Sequence, residues 1–200
     1  MRNGGQIDID YDAGPQPGGR EPAPGRLALV QAFVNSRYDL ELDHGADLLG
    51  DPAGLRAWLA RRGLLDGRAT VTRRDLARAL AVREGLHAMV VSNNGGVLDE
   101  DAVQRLNETA ARAPFGARFE LAGPVLVPSA RGVDGALAVI LAATTEAMLA
   151  ETWWRLKACQ HHDCQWAFFD HSRNAAGNWC SMKVCGGRAK QRAHYRRTRR

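Results

Sequence analysis

The stretch CQHHDCQWAFFDHSRNAAGNWCSMKVC, residues 159–185, organises the C-terminal end of this 200-residue chain. It holds all four cysteines, Cys159, Cys164, Cys180 and Cys185, as two pairs. Each pair encloses four residues, and fifteen residues separate the pairs. Zinc needs four soft ligands at tetrahedral corners, and two close pairs supply them from two turns. Reduced buried or redox-active thiols are the alternative. In a reducing cytoplasm, clustered cysteines serve a metal more readily than two disulfides. Four sulfurs leave no open coordination position, so one structural Zn2+ is expected here, folding the module without catalysing.

Around the cysteines the module is small and basic. A segment of about 45 residues has too little core to fold alone, so metal binding must supply stability. Trp166, Phe168 and Phe169 read as its core in preference to base-stacking platforms. They predict a strand, a turn at Ala176-Gly177-Asn178 and a return strand through Trp179. Ser181 can cap a following helix. His161, His162 and His171 could each replace a cysteine, but four sulfurs already fill the tetrahedron, so they read as polar residues. Gly186 and Gly187 weaken the first turns of the helix. Arg188, Arg192, Arg196 and Arg199 fall on one face of it, with Lys190 and Arg197 opposite. Seven Lys/Arg and no acid in 186–200 exceed what a helix dipole needs, against the alternative of a solvated tail. From Lys157 onward the net charge is +8, whereas residues 1–156 carry −3. A polyanion, DNA first, is the expected partner of this end, with Arg173 of the expected hairpin joining the surface.

Upstream, residues 1–25 carry six glycines and four prolines and read as a disordered tail. An ordered body is expected over 26–156. It starts with the apolar stretch Leu27–Val34, ending in Asn35-Ser36, where helix and strand are hard to separate. Asp51-Pro52 starts a helix that Gly63 stops. Thr72 with Asp75 resembles a capping box for a long helix to about Val91. Asp99–Asp101 favour another helix start, with Val103, Leu106 and Ala110 inward and Pro114 closing it. A short β-hairpin fits Phe115–Pro128, and Asp134 can cap a last helix to about Leu156. The fold class is therefore mainly α with a small β-hairpin. A treble-clef-like four-cysteine finger over 157–200 follows, built of knuckle, β-hairpin and basic helix.

WCSMKVCGGRAKQRAHYRR, Trp179–Arg197, together with CQHHDCQWAFFDHSRN, Cys159–Asn174, resembles the CGNR zinc finger family. The body, with LALVQAFVNS and the helix around Arg83-Glu84, resembles the ABATE domain that commonly precedes this finger. The resemblance implies a bacterial, stress-induced transcriptional regulator whose four cysteines ligate zinc. Cys185-Gly186-Gly187-Arg188 departs from the family by a glycine in place of its asparagine. FVNS, Phe33–Ser36, varies a more usual ending in Asn-Thr.

Arg83 falls inside the apolar arc Leu76, Ala79, Leu80, Leu86 and Val90, with His87 at its edge. A charge there must be paired, snorkelled or bound to an anion. Pairing with a protein carboxylate is the plain expectation. The sharper one is a small anionic effector held by Arg83 with Asn35 and His87. No nucleophile–base pair, phosphate loop or paired catalytic carboxylates stand out, so no enzyme activity is expected. No run of 18 apolar residues and no signal-peptide pattern occur, so a cytoplasmic, nucleoid-associated protein without membrane contact is expected. One finger offers a small DNA interface, so a homodimer or help from the body is expected to assist it. A zinc-stabilised protein-interaction or RNA-associated module is the alternative function.

Overall fold

The computed structural model describes residues 13–37 and 45–187. Arg188, Lys190, Arg192, Arg196, Arg197 and Arg199 lie outside the described residues. Five α-helices are described: α1 (Leu27–Val34), α2 (Pro52–Arg61), α3 (Arg73–Ser92), α4 (Glu100–Ala110) and α5 (Gly132–Leu149). Local chemistry sets their ends. The Asp51 carboxylate accepts from Gly54 N at 2.7 Å and opens α2, and Gly63, at φ +66°, follows its end. Thr72 and Asp75 close a reciprocal capping box at the start of α3. Asp99 accepts from Ala102 N at 2.9 Å and opens α4, whose buried residues are Ala102, Leu106 and Thr109. Val103 and Ala110, expected inside, are only half-buried.

Helix α5 is apolar on nearly every face because it is the central helix, with α1, α3, α4 and the first hairpin packed around it. Asp134 does not cap it. Arg131 holds the N-cap position, and Asp134, inside the first turn, accepts from Arg78 Nε at 2.8 Å. The helix ends at Leu149, short of the expected Leu156, in a turn through Glu151 at φ +54°.

The first hairpin pairs β1 (Phe115–Glu120) with β2 (Gly123–Pro128) across the two-residue loop Leu121-Ala122. The second pairs β3 (Leu156–Ala158) with β4 (Ala167–Phe169), Leu156 opposite Phe169. Its location corrects the expected finger hairpin. Trp179 lies in no strand, and β4 pairs backward with β3 across the first cysteine pair. Two further backbone bonds, Cys159 N to Trp166 O and Asp170 N to Arg155 O, flank that ladder. Beyond it the Asp170 carboxylate accepts from Ser172 N, Ser172 Oγ and Gly177 N. Those bonds coil residues 170–177 into a loop where a straight return strand would have left the buried carboxylate with Lys157 alone.

The body's core continues across the 156/157 boundary, although a second cluster around the four cysteines lies wholly beyond it. Trp153, Leu156, Ala158, Ala167 and Phe169 belong to the same buried cluster as Phe33, Trp58, Leu86 and Ile140. Nor is the stretch 13–25 a disordered tail. Ala13 and Ala23 are buried, and Arg20 donates to Cys180 O at 3.0 Å, Trp179 O at 3.1 Å and Phe169 O at 3.2 Å. Its guanidinium also sits 4.7 Å from the Phe168 ring centroid. A glycine- and proline-rich segment carries few apolar side chains, but here backbone and polar groups do the docking.

Candidate metal centre

Cys159 leaves the end of β3, and Cys164 lies just before β4. Between them the chain turns tightly, with Cys164 N donating to His161 O at 2.8 Å and Gln165 in the left-handed region at φ +49°. The second pair is shaped by Ser181, whose Oγ accepts from Val184 N at 3.4 Å, as its N-cap role predicts. Gly186 N then bonds Ser181 O at 3.0 Å, a wide i→i+5 turn over Met182–Gly186 that folds Cys185 back toward Cys180.

The four sulfurs converge. Cys164 Sγ lies 3.6 Å from Cys180 Sγ, Cys180 Sγ lies 3.7 Å from Cys185 Sγ, and all four lie within 4.8 Å of one another. A tetrahedron with Zn–S bonds of about 2.3 Å has edges of about 3.8 Å. A disulfide would need about 2.05 Å. The spacing therefore suits one tetrahedral ion and excludes bonded pairs. All four cysteines are buried, walled by Trp166, Phe168 and Trp179. Trp166 and Phe168 are thus core, as expected, and offer no stacking surface. Without a cation so many sulfurs cannot all ionise. Hydrogen bonds from Cys164 and Cys180 hold Cys159 far down as a thiolate. The Cys159 thiolate in turn pushes Cys164 up to about 12 and Cys180 upward as well. Burial, then the Cys159 charge, raises Cys185. A divalent ion would stabilise four thiolates together by coordinating them and would lock the wide turn to the knuckle.

The body grips this centre through its backbone. Asn35 Nδ2 donates to Ala167 O and Asn35 Oδ1 accepts from Ala167 N, both at 2.8 Å. Gln31, one helical turn earlier, donates to the same carbonyl at 3.1 Å. Asn93 donates to Trp153 O and Leu156 O, and Asn94 to Ala158 O at 2.7 Å. Gln160 Nε2 reaches back to Asn94 O at 2.9 Å. These amides were not expected in such roles. Gln31 and Asn35 at i and i+4 in an apolar helix were the available signal, since buried amides need fixed partners.

Asn35, Arg83 and His87 each meet protein groups. Arg83 grips Asp47 through both terminal nitrogens, at 2.6 and 2.7 Å, and Glu84 through Nε at 3.1 Å. This is the plain carboxylate pairing. Asp47, although partly desolvated, is held below its ordinary range by Arg83 and by the Leu49 amide. His87 is buried between Arg37 Nη1, 3.1 Å from Nδ1, and Gln165 O, 3.2 Å from Nε2. Burial, then Arg37, lowers its pKa, so the neutral ring accepts at Nδ1 and donates at Nε2. A cavity of about 350 Å³ beside it is lined by Arg37, Glu84, Asp99 and Arg105.

Arg173 is exposed on the 170–177 loop. Lys157 anchors that loop from below, with Nζ 3.3 Å from Asp170 Oδ2 and donating also to Ala175 O. Lys157 and Asp170 are both buried. The two glycines after Cys185 differ. A Cβ on Gly186 would lie 2.9 Å from Met182 Sδ and 3.4 Å from Trp179 Cδ1. Among the described residues a Cβ on Gly187 would meet Met182 O at 3.8 Å and nothing nearer, and Gly187 has helical φ −62° and ψ −48°, a backbone that asparagine adopts without strain.

Residues 155–198 match the CGNR zinc finger. Residues 27–152 match ABATE, described as "Putative stress-induced transcription regulator". The chain belongs to the ABATE family. No curated protein matches it. In this ABATE chain the finger's β3 and β4 complete the body's core, so the two matched regions form one packed unit. His161 is buried beside the sulfurs, with Nδ1 3.3 Å from Asp163 N, whereas His162 is exposed. His171 Nε2 meets Pro22 O at 2.9 Å, a structural contact to the N-terminal segment.

Proposed function

We propose that this protein is a DNA-binding transcription regulator whose finger reads DNA and whose body fixes the finger's orientation. One observation carries this: a closed four-sulfur centre, gripped on several sides, ends at Cys185, directly before seven Lys/Arg without an acid. A rigid base lets a basic segment meet phosphates with little ordering cost. Arg173, on a loop pinned by Lys157 and Asp170, supports the same surface. Phosphate contacts supply affinity, and a few arginines supply base reading against guanine edges. The filled sulfur shell suits a structural and non-catalytic ion. Nothing in the pairing of Asn35, Arg83 and His87 supports an effector site at those residues.

The test is fragment selection and a salt titration with the full zinc-loaded chain, beside the variant Arg188→Glu/Arg192→Glu/Arg196→Glu. Ending the chain at Leu156 is no substitute, because that removes Ala158, Ala167 and Phe169 from the core. The charge-reversed variant is expected to lose selection and to show a salt slope lower by about 3. Unchanged DNA binding refutes the proposal. Selective retention of RNA or of a protein in parallel pulldowns places the module in the alternative class.

A further inference from the structure

The first hairpin leaves an unusual edge. In antiparallel pairs, doubly hydrogen-bonded and unbonded positions alternate. The pair closing the two-residue loop, Glu120–Gly123, is a bonded one, and so by alternation are Arg118–Val125 and Gly116–Val127. Pro124 and Pro128 confirm the phase, because proline has no N–H to give and both face unbonded positions, Phe119 and Phe115. The N–H and C=O of Ala117 and Phe119 therefore point away from β2. Helix α5 packs mainly on β2, and β1 has no second strand partner among the described residues, five of its six residues being exposed. Phe119 is 83% exposed and Leu121 fully so. Lysine, proline and bulges, which commonly blunt such an edge, are absent from β1, whose charges are Arg118 and Glu120, one of each sign.

We infer that β1 is a homodimerisation edge, pairing antiparallel with β1 of a second copy about a two-fold axis through Phe119. The charge pattern selects this occupant and register. Arg118 and Glu120 flank Phe119 symmetrically and are exposed. Rotation about Phe119 sets Arg118 opposite Glu120 of the second copy, and Glu120 opposite its Arg118. Phe119 meets its own image through the two outward backbone bonds, and Leu121 falls opposite Ala117. A register centred on Arg118 would instead face two like charges. The pattern is thus self-complementary, as an isologous interface requires. One short strand edge makes a modest interface, with a dissociation constant on the order of micromolar. The inference does not rest on DNA binding.

Sedimentation equilibrium of the full zinc-loaded chain tests it, with Arg118→Glu, Glu120→Arg and an equimolar mixture of the two. Wild type should show a concentration-dependent monomer–dimer equilibrium. Each variant alone places four like charges on the axis and should raise the dissociation constant about tenfold or more. The mixture faces all-acidic against all-basic edges and should return to within about threefold of wild type. Arg118 and Glu120 also contact each other within one chain at 2.6 Å. Mixing cannot restore that contact, whereas Arg118→Glu/Glu120→Arg in one chain can. Restoration by the double variant but not by mixing overturns the inference. So does a wild-type protein that stays monomeric, or a dimer indifferent to all three substitutions.

Discussion

Replacing Asp170 by Asn removes one charge from a buried pair and little volume. The carboxylate sits at 1% exposure, 3.3 Å from Lys157 Nζ, and accepts three more hydrogen bonds from Ser172 and Gly177. Although burial raises its pKa, the Ser172 hydroxyl, the Gly177 and Ser172 amides and Lys157 together bring it from 3.8 down to about 2. A depressed carboxylate stabilises fully above its unfolded pKa, and that contribution is lost as pH falls through the folded value. At pH 7 it is complete and amounts to about 2 kcal/mol. Asp170→Asn also leaves the Lys157 ammonium, 5% exposed, without the opposite charge beside it. Breaking a buried pair from one side costs about 3–5 kcal/mol, and that range is expected here. The assay is urea unfolding at pH 7 in excess zinc, followed by tryptophan fluorescence, for Asp170→Asn, Lys157→Met and the double variant. The double variant should be less destabilised than the sum of the singles, by about 2 kcal/mol. An Asp170→Asn cost below about 0.5 kcal/mol, or strict additivity, would refute the role of the pair.

Cys180→Ser should abolish stoichiometric zinc, measured by metal analysis, and lower the unfolding midpoint of the whole chain, because β3 and β4 share the body's core. Independent melting of an intact body would contradict that shared core. Asn35→Ala leaves the buried Ala167 N–H unpaired and its carbonyl with Gln31 alone, and should cost about 1–3 kcal/mol by urea unfolding. Gly187→Asn should keep stability within about 0.5 kcal/mol, since the backbone is helical and no described residue crowds the position. A measured change in DNA affinity without a stability change would then assign the family asparagine to the partner.

Local signals carried far in this chain. Asp51-Pro52, the Thr72–Asp75 box, Asp99 and the hairpin over Phe115–Pro128 were legible because caps and turns involve residues a few positions apart. Asp134 misled, because its carboxylate was taken by Arg78 from another helix. The finger hairpin misled for a similar reason. Aromatic alternation marks β4 as a strand but does not say which neighbour it pairs with, and Leu156–Ala158 had read as the end of a helix and the start of the finger. Low apolar content made residues 13–25 read as disordered, yet Arg20 docks them with three bonds to carbonyls from positions 169, 179 and 180.

The sequence by itself determined the four-cysteine cluster, because two close pairs supply four sulfurs from two turns and so suit one tetrahedral ion. It determined the basic end in the same way, by composition alone. Only the tertiary structure decided that finger and body are one unit. The residues that join them, Gln31, Asn35, Asn93 and Asn94, hold backbone carbonyls more than 60 positions away. A side-chain amide carries no mark of which carbonyl it will meet, and that choice is made when the apolar faces pack and leave it one partner within reach.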